Sequence, residues 1–167
     1  MTIRRAKNDD LLHIGQINVA VWHTTYRGLI PDQLLDELSA EKQAERIETF
    51  INNKELHSFV LVAENDNDII GYLIGGKQRG EEDYNAEVYA IYVLQEHQNK
   101  GIGLKLIESA VKEFHKMNFT SLIIWGLKEN PYRRFYEKLG GNIVGTKIFH
   151  GADLLAYGWD DLLTMTP

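Results

Sequence analysis

The chain has no cysteine. That excludes a disulfide framework, a thiolate zinc site and a cysteine nucleophile. It has no apolar run approaching the roughly 20 residues of a membrane-spanning helix. Its first residues, Met1-Thr2-Ile3-Arg4-Arg5-Ala6-Lys7, lack the apolar core of a secretory signal. No internal repeat, low-complexity tract or linker interrupts it. Positive charge is scarce too. Lysine and arginine number 18 against 24 aspartates and glutamates, so the net charge is −6, which argues against nucleic acid as a primary partner. These absences point to the cytoplasm, with no membrane partner and no metal centre. A homodimer is compatible with the sequence but nothing in it requires one.

What is present suits one globular domain. The 167 residues are 44% hydrophobic, enough for a sizeable core over residues 1–167. The charge is uneven. Residues 1–97 have 9 basic and 17 acidic side chains, residues 98–138 have 8 and 4, and residues 139–167 have 1 and 3. The middle segment alone is positive, which favours an anionic ligand there. Lys105, Lys112 and Lys116 within it read as the solvated face of a helix.

That segment holds the most informative stretch, Gln98-Asn99-Lys100-Gly101-Ile102-Gly103. It follows the apolar run Val88 to Leu94 and precedes Leu104 to Met117, where apolar residues recur at three- and four-residue steps. The pattern is strand, turn, amphipathic helix. Glycines at a helix start let a ligand approach the backbone. The first amides of a helix lack partners and carry the positive end of the dipole, so such a turn can hold a diphosphate. A dinucleotide fold would need a third glycine, but positions 104–107 read Leu-Lys-Leu-Ile, and the turn lies past the midpoint of the chain.

Periodicity orders the rest. Thr2 to Ala6 is a strand, followed by a helix with Leu11, Ile14, Ile17 and Val21 on one face, preceded by the capping residues Asn8, Asp9 and Asp10. Gly28 and Pro31 end it. Pro31 opens a second helix, and Ser39 caps a third from Glu41 to Ile51. Trp22 and Tyr26, four apart, close the core end of the first helix. His13 and His23 lack metal-ligand spacing and belong at the surface. Phe59 to Glu64 and Ile69 to Gly75 are strands joined by Asn65-Asp66-Asn67-Asp68, a polar turn without the length of a calcium loop. Gly75-Gly76 is expected to end the second of them. Arg79 to Asn85 is a polar loop, and Tyr84 in it is a candidate substrate contact. Glu87 to Leu94 is the central strand. If no bulge intervenes, Glu87, Tyr89, Ile91 and Val93 share a face, and a desolvated Glu87 becomes a proton acceptor. Ser121 to Leu127 is a strand covered on both faces. Asn130-Pro131 starts a helix that ends at Gly140. Strands Ile143 to Phe149 and Leu154 to Trp159 finish the chain.

Gln98-x-x-Gly101-x-Gly103 after a strand, followed by Asn130-Pro131-Tyr132-Arg133-Arg134-Phe135-Tyr136 ending at Gly140, resembles the two motifs of the GCN5-related N-acetyltransferase (GNAT) family. Gln95 stands where a proline is common and Gly141 where an aromatic residue often follows. The resemblance covers nearly the whole chain. It implies an α/β (α+β) fold, with a mixed, mostly antiparallel sheet of about six to seven strands flanked by helices on both faces. It also implies acetyl-coenzyme A as co-substrate, without a metal. The diphosphate would meet Gln98, Asn99, Lys100, Gly101, Ile102, Gly103 and Leu104. The pantetheine arm would run along Ile91, Tyr92 and Val93 and reach Asn130. Glu87 would be the base and Tyr136 the acid that protonates the leaving thiolate. Trp22, Tyr26 and Arg27, at the connection after the first helix, would border the acceptor, a small-molecule or peptide amine. With no cysteine, and no serine in a nucleophile context, direct transfer in a ternary complex is expected. The alternative is a non-catalytic acyl-coenzyme A sensor on the same fold.

Overall fold

Alternating apolar residues in seven segments build a seven-stranded sheet in a computed structural model that describes residues 1–165. The strands are β1 (Thr2–Arg5), β2 (Phe59–Asn65), β3 (Asp68–Lys77), β4 (Ala86–Val93), β5 (Leu122–Leu127), β6 (Asn142–Phe149) and β7 (Ala152–Trp159). Their order across the sheet is β1-β2-β3-β4-β5-β7-β6. All neighbours are antiparallel except β4 and β5. That parallel pair needs a crossover, and the crossover is α4 (Ile102–Lys116). The expected mixed, mostly antiparallel α/β architecture is the observed one.

Helices cover both faces. Leu106, Ile107, Ala110 and Phe114 of α4 are buried against Phe59, Leu61, Leu73 and Val88 on one side. On the other, α1 (Leu11–Tyr26) packs Leu11, Ile14, Ile17 and Val21 on Val60, Val62, Tyr72 and Ile74. α3 (Ala40–Asn52) adds Ile47 to that layer and starts at Ser39, whose hydroxyl accepts the Lys42 N–H at 3.1 Å. Between them lies the short α2 (Asp32–Asp36). Near the chain end, α5 (Arg134–Lys138) is only five residues long, because the turn after Asn130 closes with i to i+3 bonds before it.

Two expectations fail in the middle of the sheet. β3 does not stop at Gly75-Gly76 but runs on to Lys77. The glycines are there for space: a Cβ on Gly75 would lie 2.8 Å from the Phe114 ring, and one on Gly76 2.6 Å from the Tyr89 hydroxyl. β4 also has a bulge. Ile74 pairs with Ala90 but Gly75 pairs with Val88, so Tyr89 is an extra residue. Tyr89 and Ala90 both pack in the α1 layer, while Val88, Ile91 and Val93 pack in the α4 layer. Glu87 therefore does not share a face with Ile91 and Val93.

β4 and β5 pair only at Ala86–Leu122, Glu87–Ile123 and Val88–Ile124. Beyond Val88 the two strands diverge, although β4 continues to Val93 and β5 to Leu127. The bulge and the short pairing leave the second half of β4 without a strand on that side. Among the described residues, no helix is long and apolar enough to cross a membrane.

Candidate active site

The gap between the diverging strands is a cavity of about 410 Å³ that runs through the sheet. Its α4 end is a helix opening. Gly101 precedes α4 at φ +77°, a left-handed conformation that favours glycine over residues with a Cβ. The first intrahelical bond is Lys105 N–H to the Gly101 carbonyl, at 3.1 Å. The amides of Ile102, Gly103 and Leu104 precede it, and no side chain caps them. At Gly103 a Cβ would already touch the Phe135 ring at 3.4 Å. Among the described residues, this opening faces the cavity directly.

The turn before the helix is braced from within. The Gln98 side-chain amide donates to the Val93 carbonyl at 2.9 Å, tying the turn to the strand end. Lys100 Nζ donates to the Glu96 carbonyl at 2.8 Å and does not line the cavity. Its role here is to close the preceding turn. Gln98, Asn99, Gly101, Ile102, Gly103 and Leu104 all line the cavity, and so do Ile91, Tyr92 and Val93 from β4. Asn130 lines it as well. It is buried, and its Oδ1 accepts the Tyr132 N–H at 2.9 Å, so it also caps the turn into α5.

Tyr136 points into the cavity and is 9% exposed. Its ring lies 5.1 Å from that of Tyr157. Burial, then the neighbouring hydroxyls of Tyr92 and Tyr157, push its ionisation well above the usual phenol range. It is a neutral hydroxyl that can give up a proton only as another group takes charge. Tyr26 lines the α1 end, edge-on to Trp22 at 5.2 Å and to Tyr92 at 6.4 Å. Burial raises the ionisation of Tyr26 and Tyr92 as well.

Besides Lys100, three of the expected residues lie off the cavity wall. Glu87 is buried but absent from the cavity wall. Both its oxygens are taken by Arg79: Oε1 by Nη2 at 2.7 Å, and Oε2 by Nε and by the Arg79 backbone N–H, each at 3.1 Å. The Arg79 guanidinium in turn stacks 3.9 Å from the Tyr89 ring centre. The bulge at Tyr89 leaves Glu87 on the α1 face with that ring, and Arg79 holds its carboxylate behind Tyr89, off the cavity wall. Tyr84 lies over Gly158, and its hydroxyl donates to Asp160 at 3.2 Å. Arg27 is a surface group paired with Asp32 and Asp36 at 3.4 and 3.5 Å.

The periodic reading missed other wall residues. Arg134 and Lys138, one helical turn apart on α5, line the α4 end. Their signal was the positive balance of residues 98–138. Thr25, His97 and Trp125 also line the cavity, and nothing in their spacing marked them. Among the described residues, no aspartate or glutamate is in the wall. Among the described residues, no three of His, Cys, Asp and Glu come together as metal ligands.

Comparison with known proteins agrees with this geometry. Over an alignment that covers 97% of this chain and 94% of that protein, the chain is 28% identical to the uncharacterized N-acetyltransferase YuaI of Bacillus subtilis (strain 168). An N-acetyltransferase from Staphylococcus aureus Mu50 has the same fold, with a TM-score of 0.76 at 23% identity, over 96% of this chain and 98% of that one. The PaiA N-acetyltransferase of Thermoplasma acidophilum, solved in complex with coenzyme A, gives 0.74 at 21% identity, over 95% and 98%. The model of the acetyltransferase (GNAT) family matches residues 22–141, and the chain belongs to that family of acyltransferases.

Proposed function

We propose that the chain transfers the acetyl group of acetyl-coenzyme A directly to the nitrogen of a primary amine. The observation that supports this most is the divergence of β4 from β5. It joins free helix amides on one face of the sheet to the Tyr136 hydroxyl and an aromatic chamber on the other. The wall fits the co-substrate. Ile102, Gly103 and Leu104 offer unpaired amides to a diphosphate, with Arg134 and Lys138 beside them. The unpaired side of β4 from Ile91 to Val93 can hydrogen-bond the amides of the pantetheine arm. The PaiA relative holds coenzyme A. The thioester supplies an activated acyl group with a good leaving group.

This chain's residues then have three tasks. They hold the two reactants together, which is where most of the rate enhancement arises. Tyr136 donates a proton to the departing sulfur. The chamber favours the uncharged amine: with no carboxylate in the wall, burial opposes a protonated nitrogen, so the amine sheds its proton to water on entry. Glu87 has no part in this reading. Among the described residues, no cysteine or serine lines the cavity, which supports direct transfer over an acylated enzyme.

The test is release of free thiol from acetyl-coenzyme A, with and without a panel of primary amines, alongside calorimetric titration of coenzyme A. Thiol release that depends on an amine is expected. Tight coenzyme A binding with no thiol release for any amine would leave a sensor and overturn the enzyme reading.

A further inference from the structure

The acceptor end of the cavity has two properties that limit what it can take. The first is charge. The basic wall residues among those described, His97, Arg134 and Lys138, follow β4 or lie on α5, at the α4 end. At the α1 end the wall is Val21, Thr25, Tyr26, Tyr89, Ala90 and Tyr92, with no acid or base among them, and the Arg79–Glu87 pair behind Tyr89 is already closed on itself. The tyrosines there are held neutral by burial. A second charged group brought to this end would lose its water and gain no partner, which is costly.

The second property is a roof. The segment after α1 buries Ile30 and Leu35 against Leu127 at the end of β5. Leu29 and Leu38 pack on the same cluster, as do Ala152 and Leu154 at the start of β7. Tyr26 belongs to both this cluster and the cavity wall. The Lys128 N–H also donates to the Asp153 carbonyl at 2.9 Å, stitching β5 to β7 beneath the cluster. The chain thus bridges α1 and β7 where an extended peptide would need an open trough. The space is half open and modest in volume. About 410 Å³ lies low in the roughly 300–1,000 Å³ range of ligand pockets, and two reactants must share it.

We propose that the acceptor is a small primary monoamine with a neutral, apolar body, aromatic rings included, rather than a polyamine, an aminoglycoside, an amino acid or a peptide. This rests on the acetyl-transfer reading above. The body packs on the Tyr26 and Tyr92 rings, and the Thr25 and tyrosine hydroxyls meet the amine hydrogens. In the reaction the uncharged nitrogen attacks the thioester carbonyl carbon with its lone pair. The C–N bond forms, and the C–S bond breaks with its electron pair going to sulfur. The nitrogen loses one proton and the sulfur gains one, leaving an amide and free coenzyme A thiol.

The experiment uses the full chain. Coenzyme A affinity is measured first by calorimetry. Amines are then titrated onto the coenzyme A-loaded chain, and thiol release from acetyl-coenzyme A is followed in parallel. The panel is 2-phenylethylamine, phenylalanine, spermidine, kanamycin and a short peptide with a free N-terminus. We expect 2-phenylethylamine to bind and to exceed each of the others in kcat/KM by about 10-fold or more. Thr25→Asp, which puts a carboxylate into the wall, should shift the spermidine to 2-phenylethylamine ratio at least about tenfold toward spermidine. Equal or better turnover of spermidine, kanamycin, phenylalanine or the peptide by the unaltered chain overturns the proposal and leaves acetyl transfer standing. No affinity for coenzyme A overturns both.

Discussion

At the α4 end of the cavity the groups on offer are backbone amides, those of Ile102, Gly103 and Leu104, with Arg134 and Lys138 beside them. At the α1 end they are side chains, the hydroxyls of Thr25, Tyr26 and Tyr92, and no formal charge accompanies them. The first end suits a polyanion and depends on where the chain turns. The second suits a neutral guest and depends on which rings converge there. Tyr136 stands between the two. The difference implies that substitutions at the two ends should separate binding of the thioester from choice and chemistry of the acceptor.

Tyr136 should carry the largest effect. Tyr136→Phe keeps the ring and its contact with Tyr157 but removes the proton donor. We expect kcat to fall by about 10² to 10⁴, with coenzyme A affinity unchanged by calorimetry. Unaltered turnover would remove Tyr136 from the mechanism. Next comes Gly103→Asp, which sets a carboxylate where the helix amides open, beside the Phe135 ring that a Cβ there meets at 3.4 Å. Repulsion between like charges in one site costs several kcal/mol, so coenzyme A affinity should drop by about 10² or more. The same carboxylate at position 25 should leave coenzyme A binding nearly untouched, because Thr25 lies at the other end.

A third expectation concerns the proton content of the aromatic side. Burial raises the ionisation of Tyr72 and Tyr136, which are 0% and 9% exposed. In the unfolded chain each would ionise near about pH 10. Above that pH the unfolded state has released protons that the folded state keeps, so folding weakens as pH rises. The stability due to these groups is fully present below pH 10 and is lost upward from there. The slope is about 1.4 kcal/mol per pH unit for each retained proton. Melting temperatures at pH 9, 10 and 11 should fall steeply over the last interval. A flat profile would mean that the tyrosines ionise freely in the folded state.

The same contrast decides what could be read from the sequence. Gln98 to Gly103 was legible because the opening is backbone: a strand, two glycines and an amphipathic helix leave few other arrangements. The strand and helix order followed from periodicity for the same local reason. The acceptor end was not legible, since it is assembled from α1, β4 and the roof over Leu127, elements far apart in sequence. Tyr26 was reached through its place after the first helix. Thr25 and Trp125 had no local mark. Arg27 and Tyr84 looked available but find partners in Asp32, Asp36 and Asp160, contacts that no spacing rule encodes. The face expected to be shared by Glu87, Ile91 and Val93 was lost through one extra residue. Alternation holds only until a bulge, and the bulge at Tyr89 depends on Gly75 and Gly76 of the neighbouring strand.

The smallest effect on catalysis should come from Glu87. Glu87→Gln keeps the shape and one set of hydrogen bonds to Arg79 but removes the charge. Arg79 is 37% exposed at its side chain and can turn to water, so the loss is smaller than for a sealed ion pair. We expect a stability cost of about 1–2 kcal/mol, read as a lower melting temperature. Turnover by the protein that remains folded should stay within about threefold, far from the 10² or more that loss of a general base would cost. The pH–rate profile of this variant should overlay that of the unaltered chain and follow the ionisation of the amine used. If instead the variant folds well and loses its turnover, Glu87 reaches the amine in a conformation where Arg79 has let it go, and the acceptor end carries a charge after all.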